Sequence, residues 1–198
     1  MHNVLLVGVG GQGTILASKI LTLGLMEAGF DVKMSEIHGM SQRGGSVSSQ
    51  IRYGAVVYSP VIELGGADIL VAFEKMEALR WLEYLKPGGL AVVNDYRINP
   101  MPVIIGKAKY PEGLIDTIKS KVRTIVIDAE GEARKLGDAK AMNIVLLGVA
   151  VKIIGLADMG WGNIIKENVK PAFVGLNIKA LEKGRELAES AIKNHEFR

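Results

Sequence analysis

The sequence predicts an α/β fold: a single doubly wound, Rossmann-like sheet with an inserted hairpin and a helical C-terminal part. Three observations carry that prediction. The apolar run VLLV (4–7) breaks into GVGGQG (8–13) and then into a long helical pattern, the order strand, glycine turn, helix. Strand-like apolar runs recur at ADILVAFE (67–74), LAVVND (90–95) and VRTIVIDA (122–129), separated by helical stretches. From Ala129 onward only helical patterns follow.

The first helix is expected from about Gly11 to Ala28, with Thr14, Ser18 and Thr22 as a narrow polar face toward water and Gly29 as its stop. FDVKMSEI (30–37) then supplies a second strand. SVSSQIRYGAVVYSPVI (46–62) reads as the inserted hairpin, turning at Tyr53-Gly54. KMEALRWLEYL (75–85) reads as a helix stopped by KPGG (86–89). Residues 96–111 hold three prolines and read as an excursion with a short edge strand, followed by a helix at EGLIDTIKSK (112–121). AMNIVLLGVAVKIIGLA (141–157) is interrupted by Lys152 and is short for a membrane span, so a buried helix is expected. The last helix carries Leu181, Ala188 and Ile192 on one stripe, with Glu182/Arg185 and Lys183/Glu186 as charge pairs beside it.

A chain of 198 residues with no dividing linker is read as one domain, 1–198, ordered except at its final KNHEFR. Its net charge of +3 is spread along the chain without interleaved aromatics, which argues against nucleic acid. The absence of cysteine excludes a disulfide, an ordinary iron–sulfur cluster or a zinc-thiolate site on this chain. The start MHNVLLVG has no basic leader, so a cytoplasmic protein without a membrane association is expected.

GVGGQG fits the glycine pattern whose bare backbone N–H groups and helix N-terminus receive an anion, which makes Gly8, Gly10, Gly11, Gln12 and Gly13 candidate cofactor-binding residues. The same glycines also suit close packing of strand on helix, and Gln12 fits either a ligand phosphate or a cap on the turn. Glu36, at the end of the second strand, is placed for a ribose hydroxyl or as a partner of His38 or Arg43. The loop SEIHGMSQRGGSV (35–47) adds His38, Arg43, Gly44 and Gly45: a guanidinium fork and a backbone nest for an anion, or a contact with another chain. Met40 suits an interface. Glu74 ends a strand where such sheets place ligands, or starts the next helix, and Asn94-Asp95 suits a turn. On these residues alone, an NAD-binding oxidoreductase and a non-catalytic α/β module also remain open.

LLVGVGGQGTILASKIL (5–21), EIHGMSQRGGSV (36–47) and SPVIELGGADILVAFEKMEALR (59–80) together resemble the gamma-type subunit or domain of 2-oxoacid:ferredoxin oxidoreductases. Met-Ser-Gln before RGG resembles the indolepyruvate type within it, whereas the pyruvate type tends to carry an acidic residue there. The resemblance implies an accessory subunit, inactive alone, of an enzyme that oxidatively decarboxylates a 2-oxoacid on thiamine diphosphate and passes electrons to ferredoxin while coenzyme A takes the acyl group. It implies a hetero-oligomer in which a large alpha subunit carries thiamine diphosphate, magnesium and the iron–sulfur clusters. Coenzyme A is then the one cofactor this chain is expected to contact, and no catalytic or metal-binding residue is expected on it.

Overall fold

In the computed structural model, which describes residues 1–39 and 44–194, VLLV lies inside β1 (His2–Val9), and α1 (Thr14–Glu27) follows the glycine turn. Next come β2 (Asp31–His38), β3 (Ser46–Gly54), β4 (Ala67–Ala72), α2 (Lys75–Arg80) and β5 (Leu85–Asn94). α3 (Met101–Ile104), α4 (Leu114–Lys119) and β6 (Arg123–Ile127) precede α5 (Ala129–Leu136), α6 (Met142–Ile153), α7 (Trp161–Asn168) and α8 (Val174–Lys193). Among the described residues the strands form a six-stranded sheet in the order β2-β3-β1-β4-β5-β6. β1, β4, β5 and β6 are parallel, and β3 runs antiparallel to both of its neighbours.

Period-two alternation sorts each strand between two cores. Val4, Leu6, Ile69, Val71 and Val92 pack with α1 and with α5 to α8, whereas Leu5, Val7, Leu70, Ala72, Ala91 and Val93 face α2 and α4. α6 is buried from Met142 through Val151, as its apolar run predicts, because α1, α5 and α8 surround it. It meets α8 through two glycines. A Cβ on Gly148 would stand 2.1 Å from the Leu181 carbonyl oxygen, and one on Gly184 would stand 1.9 Å from that of Val145. No described helix is long and apolar enough to cross a membrane.

The hairpin expected at 46–62 does not form; β3 instead pairs antiparallel with β2, the strand before it. No strand returns from Tyr53-Gly54: residues 55–66 form none. The second arm of the hairpin was expected there, yet side chains hold the segment instead. β2 therefore lies one strand away from β1, with β3 between them. The proline-rich excursion contains the one-turn α3 and no edge strand, since Pro102 sits in the first turn, where a missing N–H costs nothing. KPGG lies inside β5: Ala67 pairs with Leu85 and Ile69 with Leu90, so residues 86–89 bulge out, aided by the left-handed Gly88.

Two side-chain expectations also need correction. Thr14 and Ser18 are buried against the sheet, and Ile15, Lys19 and Met26 are the exposed side of α1. On α8, Leu181 and Ala188 are buried but Ile192 is largely exposed; both predicted charge pairs form.

Candidate functional site

The two motifs meet at the carboxyl edge of β1. The β1–β3 ladder ends with Val9 opposite Ser46, and one further bond carries it into the turn: the Gly10 N–H donates to the Gly45 carbonyl at 2.8 Å. The Gly44 N–H faces the Gly10 carbonyl at 3.5 Å, so it is turned toward the glycine turn and not outward as a nest. Arg43 and Met40 lie outside the described residues.

The glycines divide by task. A Cβ on Gly8 would stand 2.9 Å from both Gln12 Oε1 and Phe73 Cβ, and one on Gly13 would stand 2.4 Å from Asn143 Nδ2. Those two permit close packing. Gly11 differs: it is exposed, left-handed at φ 101°, and open space surrounds its missing side chain, so it is the glycine at which a ligand can approach. Gly13, also left-handed, caps α1, whose first turn carries no acidic side chain to offset the positive end of the helix.

Gln12 is committed to the turn. Its Oε1 accepts from the Val9 N–H at 2.8 Å and its Nε2 donates to the Phe73 carbonyl at 2.8 Å, with the side chain buried. Asn94 Nδ2 donates to the same carbonyl at 3.1 Å while its Oδ1 accepts from the Ala129 N–H at 3.0 Å. This row of amides ties the ends of β1, β4, β5 and β6 together across the place where doubly wound sheets usually open a crevice. Gln12 is thus a cap, and Asn94 links two strands with its side chain while its carbonyl accepts from the Tyr96 N–H at 2.7 Å, closing the tight turn expected at Asn94-Asp95.

Glu74 takes the structural one of its two roles. Fully buried, it caps α2 by accepting from the Met76 and Glu77 N–H groups at 2.7 and 3.0 Å. Its other oxygen accepts from the Tyr110 hydroxyl and, at 3.3 Å, from the Ile98 N–H, anchoring the proline excursion. Burial first, and then the bond to Glu74, hold the Tyr110 phenol far above its ordinary value. Arg97 covers the ring at 4.2 Å. Glu36 is not partnered by His38: it accepts from Ser18 Oγ on α1 at 2.9 Å. Contacts such as Tyr110–Glu74 and Ser18–Glu36 leave no local sequence signal.

Two cavities flank the turn. The larger, about 720 Å³, lies between Gly11, Gly13, the start of α6 and the start of α8. Its acids are engaged, Glu130 by Arg134 and Asp138 by the Lys140 N–H at 2.9 Å, whereas Lys140 and Lys170 are not ion-paired among the described residues. Neither lysine stood out in the sequence. The smaller, about 460 Å³, is lined by Gly10, Gly11, Gly13, Thr14, Ile15, His38 and Val47, with His38 exposed at its mouth. The structure therefore brings Gly10, Gly11, Gly13, His38, Gly44 and Gly45 to one edge, leaving Gly8 and Gln12 inside the fold.

Residues 3–187 match the family described as pyruvate ferredoxin/flavodoxin oxidoreductase. Indolepyruvate oxidoreductase subunit IorB of Thermococcus kodakarensis is 36% identical over 199 residues, covering 96% of this chain and 98% of that one. A solved keto/oxoacid ferredoxin oxidoreductase gamma subunit from Geobacter sulfurreducens superposes with a TM-score of 0.72 at 26% identity, over 96% of this chain and 100% of that one. Ketoisovalerate oxidoreductase subunit VorA of Methanothermobacter thermautotrophicus is 27% identical over 96% of this chain, but the match takes up only 37% of that longer protein.

Proposed function

Since the chain belongs to the pyruvate ferredoxin/flavodoxin oxidoreductase family, we propose that it is the accessory subunit of an indolepyruvate-type 2-oxoacid:ferredoxin oxidoreductase. In the complete reaction an aryl 2-oxoacid loses carbon dioxide, its acyl group passes to coenzyme A, and two electrons reduce ferredoxin. A chain without cysteine cannot ligate an iron–sulfur cluster through thiolates, so the clusters belong to a larger partner, as does thiamine diphosphate with its magnesium ion. Thiamine diphosphate supplies the carbanion stabilisation that decarboxylation requires.

The observation that carries the reading is the Gly10–Gly45 hydrogen bond, which joins the glycine turn to the RGG loop at one edge of the sheet. That edge suits a phosphate-bearing coenzyme. Exposed Gly11 removes the steric barrier, the N-terminus of α1 favours negative charge, and Lys140 and Lys170 are cations without acidic partners among the described residues at the adjacent cleft. We assign this chain the role of holding and orienting coenzyme A at the edge of the partner's reaction cleft, with Arg43 as the guanidinium nearest in sequence to both glycines. No proton transfer or redox step is assigned to its side chains.

Reconstitution tests this. The purified chain should show no oxoacid-dependent dye reduction, whereas the complex with its larger partner should reduce ferredoxin only when an aryl 2-oxoacid and coenzyme A are both supplied. Turnover by the isolated chain, or a full coenzyme A-dependent rate from the partner without it, would overturn the proposal.

A further inference from the structure

The segment between β3 and β4, residues 55–66, has no helix or strand, yet both its ends and its middle are pinned. The Val57 N–H donates to Asp31 Oδ2 at 2.8 Å, and the Ile62 N–H to Gln50 Oε1 at 2.6 Å. The Arg52 guanidinium donates to the carbonyls of Ser59 at 3.2 Å and Val61 at 2.9 Å, and the Gly65 N–H bonds to the Glu83 carbonyl at 2.9 Å. Val57 and Ile62 point inward and are buried. The side chains left over point outward: Val56 at 57% exposure, Tyr58 at 95%, Val61 at 61% and Leu64 at 62%.

Irregular surface segments normally show polar side chains to water, and contiguous apolar exposure marks an interaction surface. Here residues 55–62, AVVYSPVI, carry no charge at all, in a protein with 23% charged residues. Depletion of charge around an aromatic anchor is the composition of an interface centre. Since five hydrogen bonds already order the backbone, little conformational freedom remains to be lost on binding.

We infer that this strap is the surface by which the chain docks onto the larger polypeptide of its enzyme, with Tyr58 as the anchor; the inference rests on the accessory-subunit reading above. The occupant follows from the relatives. In the ketoisovalerate relative the matching region is 37% of one polypeptide, so there a peptide bond keeps this fold beside the rest of the protein. In the indolepyruvate oxidoreductase subunit, 98% of which this chain matches, the same fold comes as a subunit of its own and must be held by its surface. The strap is also suitably placed. Gln50 and Arg52 point to the sheet face opposite α1, and the strap starts beyond Gly54, at the end of β3 remote from the Ser46 end where the glycine turn lies. Docking there keeps the anchor off the coenzyme edge, which is left for the partner's reaction cleft.

The test uses the full chain and its larger partner. Tyr58→Ser with Val61→Ser removes outward groups only, so the thermal midpoint should stay close to wild type while affinity for the partner falls at least about thirtyfold, the effect of losing one hot-spot anchor. In assembled complex at saturating variant concentration, the KM for coenzyme A should be unchanged. A second measurement exploits the absence of cysteine: Tyr58→Cys gives this chain a single thiol, whose alkylation, read by mass spectrometry of this chain, should slow at least about tenfold on assembly, whereas that of Ile104→Cys at α3 should not. Equal affinity of variant and wild type, or an unprotected thiol at position 58 in the complex, overturns the docking surface but leaves the accessory-subunit reading standing. Failure of the wild-type chain to bind the partner overturns that reading as well. Thiol protection that depends only on concentration of the chain itself assigns the strap to a second copy and overturns the choice of partner.

Discussion

Replacing Gln12 by alanine separates a capping residue from a ligand residue, because only a cap is missed in the empty protein. The substitution removes the acceptor of the Val9 N–H and one of the two donors to the Phe73 carbonyl, which keeps Asn94 at 3.1 Å. A neutral hydrogen bond contributes about 1 kcal/mol net, and an orphaned buried N–H costs about 1–3 kcal/mol. The loss should therefore be roughly 2–4 kcal/mol. For a protein of this size, at about 2–4 °C per kcal/mol, the thermal midpoint should fall by roughly 5–15 °C without any ligand present. Differential scanning calorimetry measures it.

Gln12→Glu sharpens the test. The acceptor for Val9 survives, but the group facing the Phe73 carbonyl becomes an acid that must stay protonated to donate. Burial raises that acid's folded-state pKa above its unfolded value. The variant's stability is then nearest to wild type below the ordinary carboxylate range and is lost as pH rises through the raised value. A widening gap between wild type and variant from about pH 4 to pH 8 is expected. An alanine variant that melts within about 1 °C of wild type, together with a pH-independent gap for the glutamate variant, would refute the capping argument.

Gly184→Ala should destabilise by about 1–3 kcal/mol or more, reversing the usual gain of alanine in a helix, since the new Cβ would meet the Val145 carbonyl; chemical denaturation reads it. Tyr110→Phe takes a donor from buried Glu74 and should cost about 1.5–3 kcal/mol at neutral pH. The raised Tyr110 pKa makes its contribution full below the ordinary phenol value and lost above it, so wild-type stability should fall above about pH 10 more steeply than that of the variant. Arg43→Ala should raise the KM for coenzyme A in the reconstituted complex by roughly ten- to a hundredfold with assembly intact, and Arg43→Lys should recover only part of it. An unchanged KM would remove Arg43 from the coenzyme site.

How far the sequence could be read depended on the range of each interaction. The buried strands, the glycine turn and the α6 run announce themselves through local periodicity, and all appear. The strap was misread because AVVYSPVI has a strand's composition, whereas Arg52, Gln50 and Asp31 hold it by single side-chain bonds that no periodicity records. The site shows the same division. That GVGGQG and GGS (44–46) meet at one edge became visible only when the β1–β3 register set Val9 opposite Ser46. The bond that Glu36 accepts from Ser18 could not be read from the sequence, because Ser18 lies on another element.

The amide row explains why a nucleotide-like motif here need not imply a nucleotide enzyme. In a dinucleotide fold the crevice between the first strand and its neighbour across the switch point stays open for the pyrophosphate. Here the Gln12 side chain bridges β1 to the end of β4, and Asn94 continues the closure to β6. Gly8 is glycine because Gln12 Oε1 and Phe73 need the space that a Cβ would take. An anion can still reach the edge at Gly11 and the N-terminus of α1, but it must lie over the rim and not within the sheet. A ligand held that way remains exposed on its outer side, where the proposed partner can reach it. The geometry of the turn thus favours a subunit that presents a coenzyme to its partner over an enzyme that encloses one alone.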